Sequence, residues 1–182
     1  MATTNTVNIG KGYASGMMLT AAAGTALPAT LTTAGISAWG TEVGYISDAG
    51  MTLNLSRDKE DIKDWSKTVR RVVLTDHSES ASGACISTDV TALTALFGAT
   101  AVSSSTATKT TTVNLSTGML PAEAAFLFVM MDGDDLLAFG CTNGQMAVTD
   151  NVSFTSSEAI EWPFEITAMG SNGMVFIKTA GA

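Results

Sequence analysis

The fold turns on Glu42–Thr75, EVGYISDAGMTLNLSRDKEDIKDWSKTVRRVVLT. The stretch reads as strand, charged connection, strand. Met51, Leu53 and Leu55 alternate with Thr52, Asn54 and Ser56, the period of a half-buried strand. Val69–Thr75 is again rich in β-branched and apolar residues. Between the two lies Arg57–Arg71, which holds ten of the chain's charged residues, six basic and four acidic, with Ile62 and Trp65 in its middle. A loop that only had to solubilise would need no tryptophan. A loop that docks onto another molecule could use one as an anchor, with charges setting register around it. The competing reading is that Trp65 folds back onto its own sheet. The candidate docking residues are Arg57, Asp58, Lys59, Glu60, Asp61, Ile62, Lys63, Asp64 and Trp65, in a loop spanning 57–68.

Outward from this stretch, residues 1–40 are rich in Ala, Thr and Gly, with sparse apolar anchors such as Met18, Leu19, Leu31 and Ile36. They read as an extended N-terminal arm, poorly ordered in an isolated subunit, ahead of a single β domain over 41–182. Residues 88–98 predict the one helix. Thr88 or Asp89 caps it, Val90, Leu93, Leu96 and Phe97 share a face, and Gly98 stops it. Ala125–Met131 is a continuous apolar run, hence a buried strand. Asp132–Gly133, Asn143–Gly144 and Asn172–Gly173 signal hairpin turns. Val152 and Phe154 suggest a short strand. Over Ala159–Met169, Ile160, Trp162, Phe164 and Ile166 alternate with Glu161, Pro163, Glu165 and Thr167, and Pro163 suggests an edge or a bulge. The class is all-β with one short α-helix, an antiparallel sandwich or partly closed barrel.

The net charge of −8 is unevenly spread. Residues 57–71 carry a net +2, and the remainder three basic against thirteen acidic residues, a net −10. Such a chain is a poor ligand for nucleic acid, which needs Lys and Arg to displace phosphate counterions. An acidic wall would instead keep DNA from sticking as it slides past. No apolar run reaches the ~20 residues of a membrane-spanning helix. The N-terminus makes a weak signal peptide, so synthesis in a cytoplasm without a membrane anchor is expected.

Chemistry-bearing motifs are lacking. Cys85 and Cys141 have no CxxC spacing and read as two buried thiols, with one disulfide as the alternative. His77 sits among Asp76, Ser78 and Glu79 and reads as a solvated turn residue. Asp132, Asp134 and Asp135 lack the distal Glu of a calcium loop and read as a hairpin tip. No nucleophile elbow, phosphate loop or zinc-ligand set occurs. No catalytic residue, metal or cofactor is expected, and the chain reads as structural or binding rather than enzymatic. Glu161 and Glu165 lie four apart on one predicted strand, so both point one way; if the sheet lines a pore, they make it acidic.

Gly44–Tyr45–Ile46, Asp48, Gly50, MTLNLSRDKEDIKDW and TVRRVV, in that order, resemble the major tail tube protein of long-tailed phages. The resemblance implies a structural virion protein that self-assembles into stacked, hexameric rings around a channel for double-stranded DNA. It implies that the 57–68 loop and the N-terminal arm join ring to ring. It also implies tape measure, tail-tip and tail terminator proteins as partners. The inner tube of a contractile tail or secretion system shares that fold and stays open as an alternative. So does a secreted or surface β-domain binding carbohydrate or a receptor, which would show a disulfide or an exposed aromatic platform.

Overall fold

A computed structural model describes residues 11–12, 18–116, 118, 120–170 and 173–181. Eleven strands and two helices occur among them. In chain order they are β1 (Lys11–Gly12), β2 (Met18–Ala22), α1 (Thr33–Trp39), β3 (Thr41–Gly44), β4 (Ile46–Lys63), β5 (Val69–Cys85), α2 (Val90–Phe97), β6 (Val102–Ser105), β7 (Thr110–Val113), β8 (Ala124–Asp132), β9 (Asp135–Val148), β10 (Trp162–Ala168) and β11 (Val175–Thr179). Nine strands form one antiparallel sheet in the order β3-β2-β8-β9-β10-β5-β4, with β1 on β8 and β11 on β9. β6 and β7 make a separate small hairpin. The sheet is not closed on itself, and the mostly-β class agrees with the sequence.

The centre of the sheet is buried on both faces, which explains the unbroken apolar run of β8. Phe126 and Phe128 point into one cluster with Met18, Phe139, Cys141, Met146, Phe164 and Ile166. Leu127 and Val129 point into a second, with Leu19, Leu31, Ile36 and Ala138. α2 supplies Ala92 and Leu96 to the first cluster, and α1 supplies Ile36 to the second.

α2 starts where Asp89 accepts a hydrogen bond from the Ala92 N–H at 2.8 Å. It ends where Gly98, at φ 86°, donates its N–H to the Thr94 carbonyl. Val90 is exposed, contrary to its expected place on the inward face, and Ala92 is buried instead. α1 is a second helix that the sequence reading does not contain. Its seven residues bury only Ile36, too short a run to show a period, and it is started by the Thr32 hydroxyl accepting from the Gly35 N–H at 3.0 Å.

Four other expectations are corrected. Residues 18–39 are not an extended arm: β2 lies between β3 and β8, and α1 covers the second cluster. Residues 1–10 and 13–17 of the arm lie outside the described residues. The segment 57–68 is not a loop but the outer part of the β4–β5 hairpin, with a turn only at 64–68. Asn143–Gly144 is no turn. β9 runs through it, because a Cβ on Gly144 would sit 2.8 Å from Cys141 Sγ and 2.9 Å from Ile166 Cγ2. Here glycine serves close packing rather than chain reversal. Residues 149–161 contain no strand, so Val152 and Phe154 are irregular. Asn172 lies outside the described residues.

Asp132–Gly133 does turn, with Gly133 at φ 61° and Asp132 opposite Asp135. Pro163 pairs with Ala84 of β5, whereas the pairing of β10 with β9 begins only at Phe164. The proline therefore sits where no ladder N–H toward β9 is needed. Cys85 and Cys141 are free and buried. Burial pushes both thiols up, that of Cys141 to about 11.

Candidate functional site: a projecting two-stranded ribbon

Beyond Asn54 the β4–β5 hairpin leaves the sheet. β10 accompanies β5 only as far as Ser80, and past that register the two strands run on alone. From Asn54 to Lys63 the ribbon extends about 30 Å at ~3.3 Å per residue. Arg57, Asp58, Lys59, Glu60, Asp61, Ile62 and Lys63 lie on β4, while Asp64 and Trp65 open the turn.

The turn is tied by Asp64. Its carboxylate accepts from Ser66 Oγ at 2.6 Å, the Thr68 N–H at 3.0 Å and Arg70 Nε at 2.6 Å. The same Asp64 and Arg70 form an ion pair. These contacts, led by the Ser66 hydrogen bond, hold the Asp64 carboxyl below its ordinary range. The Asp64 N–H donates to the Thr68 carbonyl, the Lys67 N–H donates to that of Asp64, and Lys67 adopts φ 63°. Trp65 contributes nothing to this closure: it is 103% exposed, so it does not fold back onto its own sheet.

The strand period sorts the ribbon's charges. On β4 the odd residues share the face of Met51, whose partner Gly83 lies opposite buried Phe164. That face carries Leu53, Leu55, Arg57, Lys59, Asp61 and Lys63. Across from them on β5 stand Ala81, Glu79, His77, Leu74, Val72 and Val69, so that face holds three cations against the carboxylates of Asp61 and Glu79. Leu55, Val72 and Leu74 are 54%, 55% and 50% exposed. The even face carries Thr52, Asn54, Ser56, Asp58, Glu60 and Ile62, opposite Ser82, Ser80, Ser78, Asp76, Val73 and Arg71. One face is thus basic and apolar, and the other polar and acidic. Asp58 stands directly opposite Asp76, a like-charge pair that disfavours the isolated hairpin.

The even face continues over β10. Glu165 pairs with Ser82 and accepts from Ser80 Oγ at 2.6 Å. Glu161 precedes β10 and accepts from Ser47 Oγ at 2.5 Å. It lies in an open cleft of about 700 Å³ that also holds Asp48, Glu158, Ile86, Ala159 and Pro163. The cleft is at the base of β4, the opposite end of the ribbon from Trp65.

His77 lies in β5 rather than a turn, opposite Arg57. Among the described residues no cluster of His, Cys, Asp or Glu could hold a metal ion. Asp135 is not a free tip carboxylate: it pairs with Lys178 at 3.0 Å and accepts from the Gly181 N–H. The tryptophans form no shared platform. Trp39 Nε1 donates to the Ala26 carbonyl, Trp162 stacks edge-on against Phe97 and Phe154, and Trp65 stands at the tip. No described helix is long and apolar enough to cross a membrane.

The sequence reading placed Arg57–Trp65 in a loop and missed the hairpin. R-D-K-E shows no apolar alternation, so a hydrophobic period cannot detect it. The signal available was the alternation of charge sign from Arg57 to Glu60.

No curated protein matches this chain. Among solved structures it is similar to a chain of the tail of an empty GTA particle, computed with helical refinement and C6 symmetry. The identity is 12%, the match covers 90% of this chain and 95% of the other, and the TM-score is 0.42. The model of the family described as phage tail tube protein matches residues 3–178, and over that span the chain belongs to the phage tail tube protein family.

Proposed function

We propose that copies of this chain assemble into stacked hexameric rings that form the tail tube, the conduit through which DNA reaches the host. Membership of the family supports a structural tail role, and the sixfold ring and the DNA passage follow from the resemblance. The observation that carries self-assembly is the ribbon: some 30 Å of two-stranded sheet, with apolar side chains on both faces and a fully exposed tryptophan at its end. An isolated subunit gains nothing from such a feature, and an unprotected ribbon is an aggregation hazard. Burial against neighbours removes the hazard. The outer edges of β3, β4 and β11 have no strand partner among the described residues, and edge-to-edge pairing between copies would satisfy them.

The even face over β10 and β5, with Glu165, Ser80 and Ser82, lines the channel in this reading. It is the open, polar part of the sheet, and its negative charge repels phosphate, so DNA passes without tight binding. The ribbon, residues 57–65 above all, joins one ring to the next. Tape measure, tail-tip and tail terminator proteins are the further partners. Synthesis occurs in the host cytoplasm, and no catalytic step is assigned.

The test is negative-stain electron microscopy of the purified chain at high concentration. Tubes or stacked rings with a central hole and sixfold end-on averages are expected. Closed particles without a channel, or a persistent monomer even with tail-tip components added, would overturn the proposal. Trp65→Ala should give a folded monomer that no longer polymerises; normal tubes from it would remove the ribbon tip from the ring junction while leaving the tube itself standing.

A further inference from the structure

The two faces of the ribbon do different jobs, and the structure assigns the docking role to one of them: the odd-numbered face, with Lys59 and Lys63, seats on the acidic cleft of Asp48, Glu158 and Glu161 in a second copy. This rests on the self-assembly reading above and names the surface that receives the ribbon. Three observations carry it.

The first is the sorting of charge by face. In sequence order Arg57–Lys63 is a mixture, and a loop with those residues would present no net sign on any side. As a strand it presents Arg57, Lys59 and Lys63 with Asp61 on one side, and Asp58 and Glu60 on the other. Among the described residues, none of Arg57, Lys59 and Lys63 is ion-paired within the subunit. The unpaired cations share their face with Leu55, Leu74 and Val72, so the docking face is both apolar and basic.

The second is complementarity within one chain. Outside 57–71 the chain carries a net −10, so the surface most able to receive a basic ribbon is the chain's own. The cleft at the base of β4 joins three carboxylates to an apolar lining of Ile86, Ala159 and Pro163, and no basic residue lines it. Its composition is the counterpart of the odd face: acid for base, and apolar for apolar.

The third is direction. The tip and the cleft stand at opposite ends of one ribbon. Copies in the same orientation meet tip on base, through two different patches, and such a heterologous contact repeats from copy to copy. Each ribbon then overlaps the base of the next along its own axis, which is the direction in which rings must stack. The even face above the cleft, with Glu165, stays uncovered.

Charge reversal on each face separates the two roles. Lys59→Glu with Lys63→Glu should raise the concentration needed for tube formation about tenfold or more, while Asp58→Lys with Glu60→Lys should shift it much less. Adding Asp48→Lys and Glu158→Lys to the odd-face variant should restore assembly, and these two substitutions leave the Ser47–Glu161 hydrogen bond in place. All six positions are exposed, so monomer elution and circular dichroism should match the parent chain. Wild-type tubes with unchanged assembly of the odd-face variant, or equal loss from the even-face variant, would overturn the choice of face. Loss from the odd face without rescue would overturn the cleft as acceptor. Absence of tubes from the parent chain would overturn the self-assembly reading instead.

Discussion

Two long hairpins of this protein share a topology and differ in everything else. β8–β9 and β4–β5 are both antiparallel pairs closed by short turns. In β8–β9 both faces are buried: Phe126 and Phe128 face one cluster, Leu127 and Val129 the other. In the outer part of β4–β5 both faces are bare, and Trp65 ends it in solvent. Backbone pairing alone therefore does not decide how firmly a hairpin is held. The first hairpin is stabilised by apolar burial, worth about 25 cal/mol per Å² removed from water. The second keeps its shape through cross-strand hydrogen bonds and one well-tied turn, and it leaves its apolar side chains available to a partner.

The contrast can be broken most forcefully at β8. Phe128→Ala should cost about 3–5 kcal/mol of stability, because Phe128 is buried and stacks on Phe139 with ring centroids 4.9 Å apart. Thermal melting of the monomer measures it, and an unchanged midpoint would contradict the packing. Gly144→Ala should cost about 1–3 kcal/mol by forcing a methyl against Cys141 and Ile166. Denaturant titration checks it, and an unchanged midpoint would contradict the close packing at Gly144.

Smaller effects sharpen the comparison at the element ends. Asp89→Ala removes the cap of α2 and should cost about 1 kcal/mol, read from the same titration. At the ribbon tip, Asp64→Asn should leave the global midpoint unchanged and speed amide exchange at Thr68. The pH dependence has a definite sign. The Asp64 carboxyl is lowered in the folded chain, so its contribution is present above its ordinary 3.8 and is lost as pH falls through the folded value. Exchange at Thr68 that stays constant down through that window would exclude the carboxylate as the tie.

The cysteines show the same division between buried centre and bare ribbon. Both lie in the buried first cluster, and burial holds Cys141 at about 11. Thiol reagents should therefore label the native chain far more slowly than the unfolded one near neutral pH. Rapid labelling of native protein would mean that the centre opens more readily than its packing suggests.

How much was legible in the sequence follows from where the signals come from. The run Ala125–Met131, the alternation around Phe164 and the caps at Asp89 and Gly98 are local, and each predicts the element that forms. The apolar anchors Met18, Leu19, Leu31 and Ile36 were visible too. Their place between β3 and β8, and against the second cluster, was not, because strand order is set by contacts between segments about a hundred residues apart. Asn143–Gly144 carries a turn signal that packing overrides, since Gly144 is needed where Phe126, Cys141 and Ile166 crowd together.

The sequence by itself determined that this chain is mostly β, with an acidic body and a mixed-charge segment built around Ile62 and Trp65. Composition, period and turn chemistry are enough for that, because each is read over a few residues. Only the tertiary structure decided that the segment is a ribbon rather than a loop. Pairing Arg57–Lys63 against Val69–His77 fixes which side chains share a face, and so turns a string of alternating charges into one basic face and one acidic face.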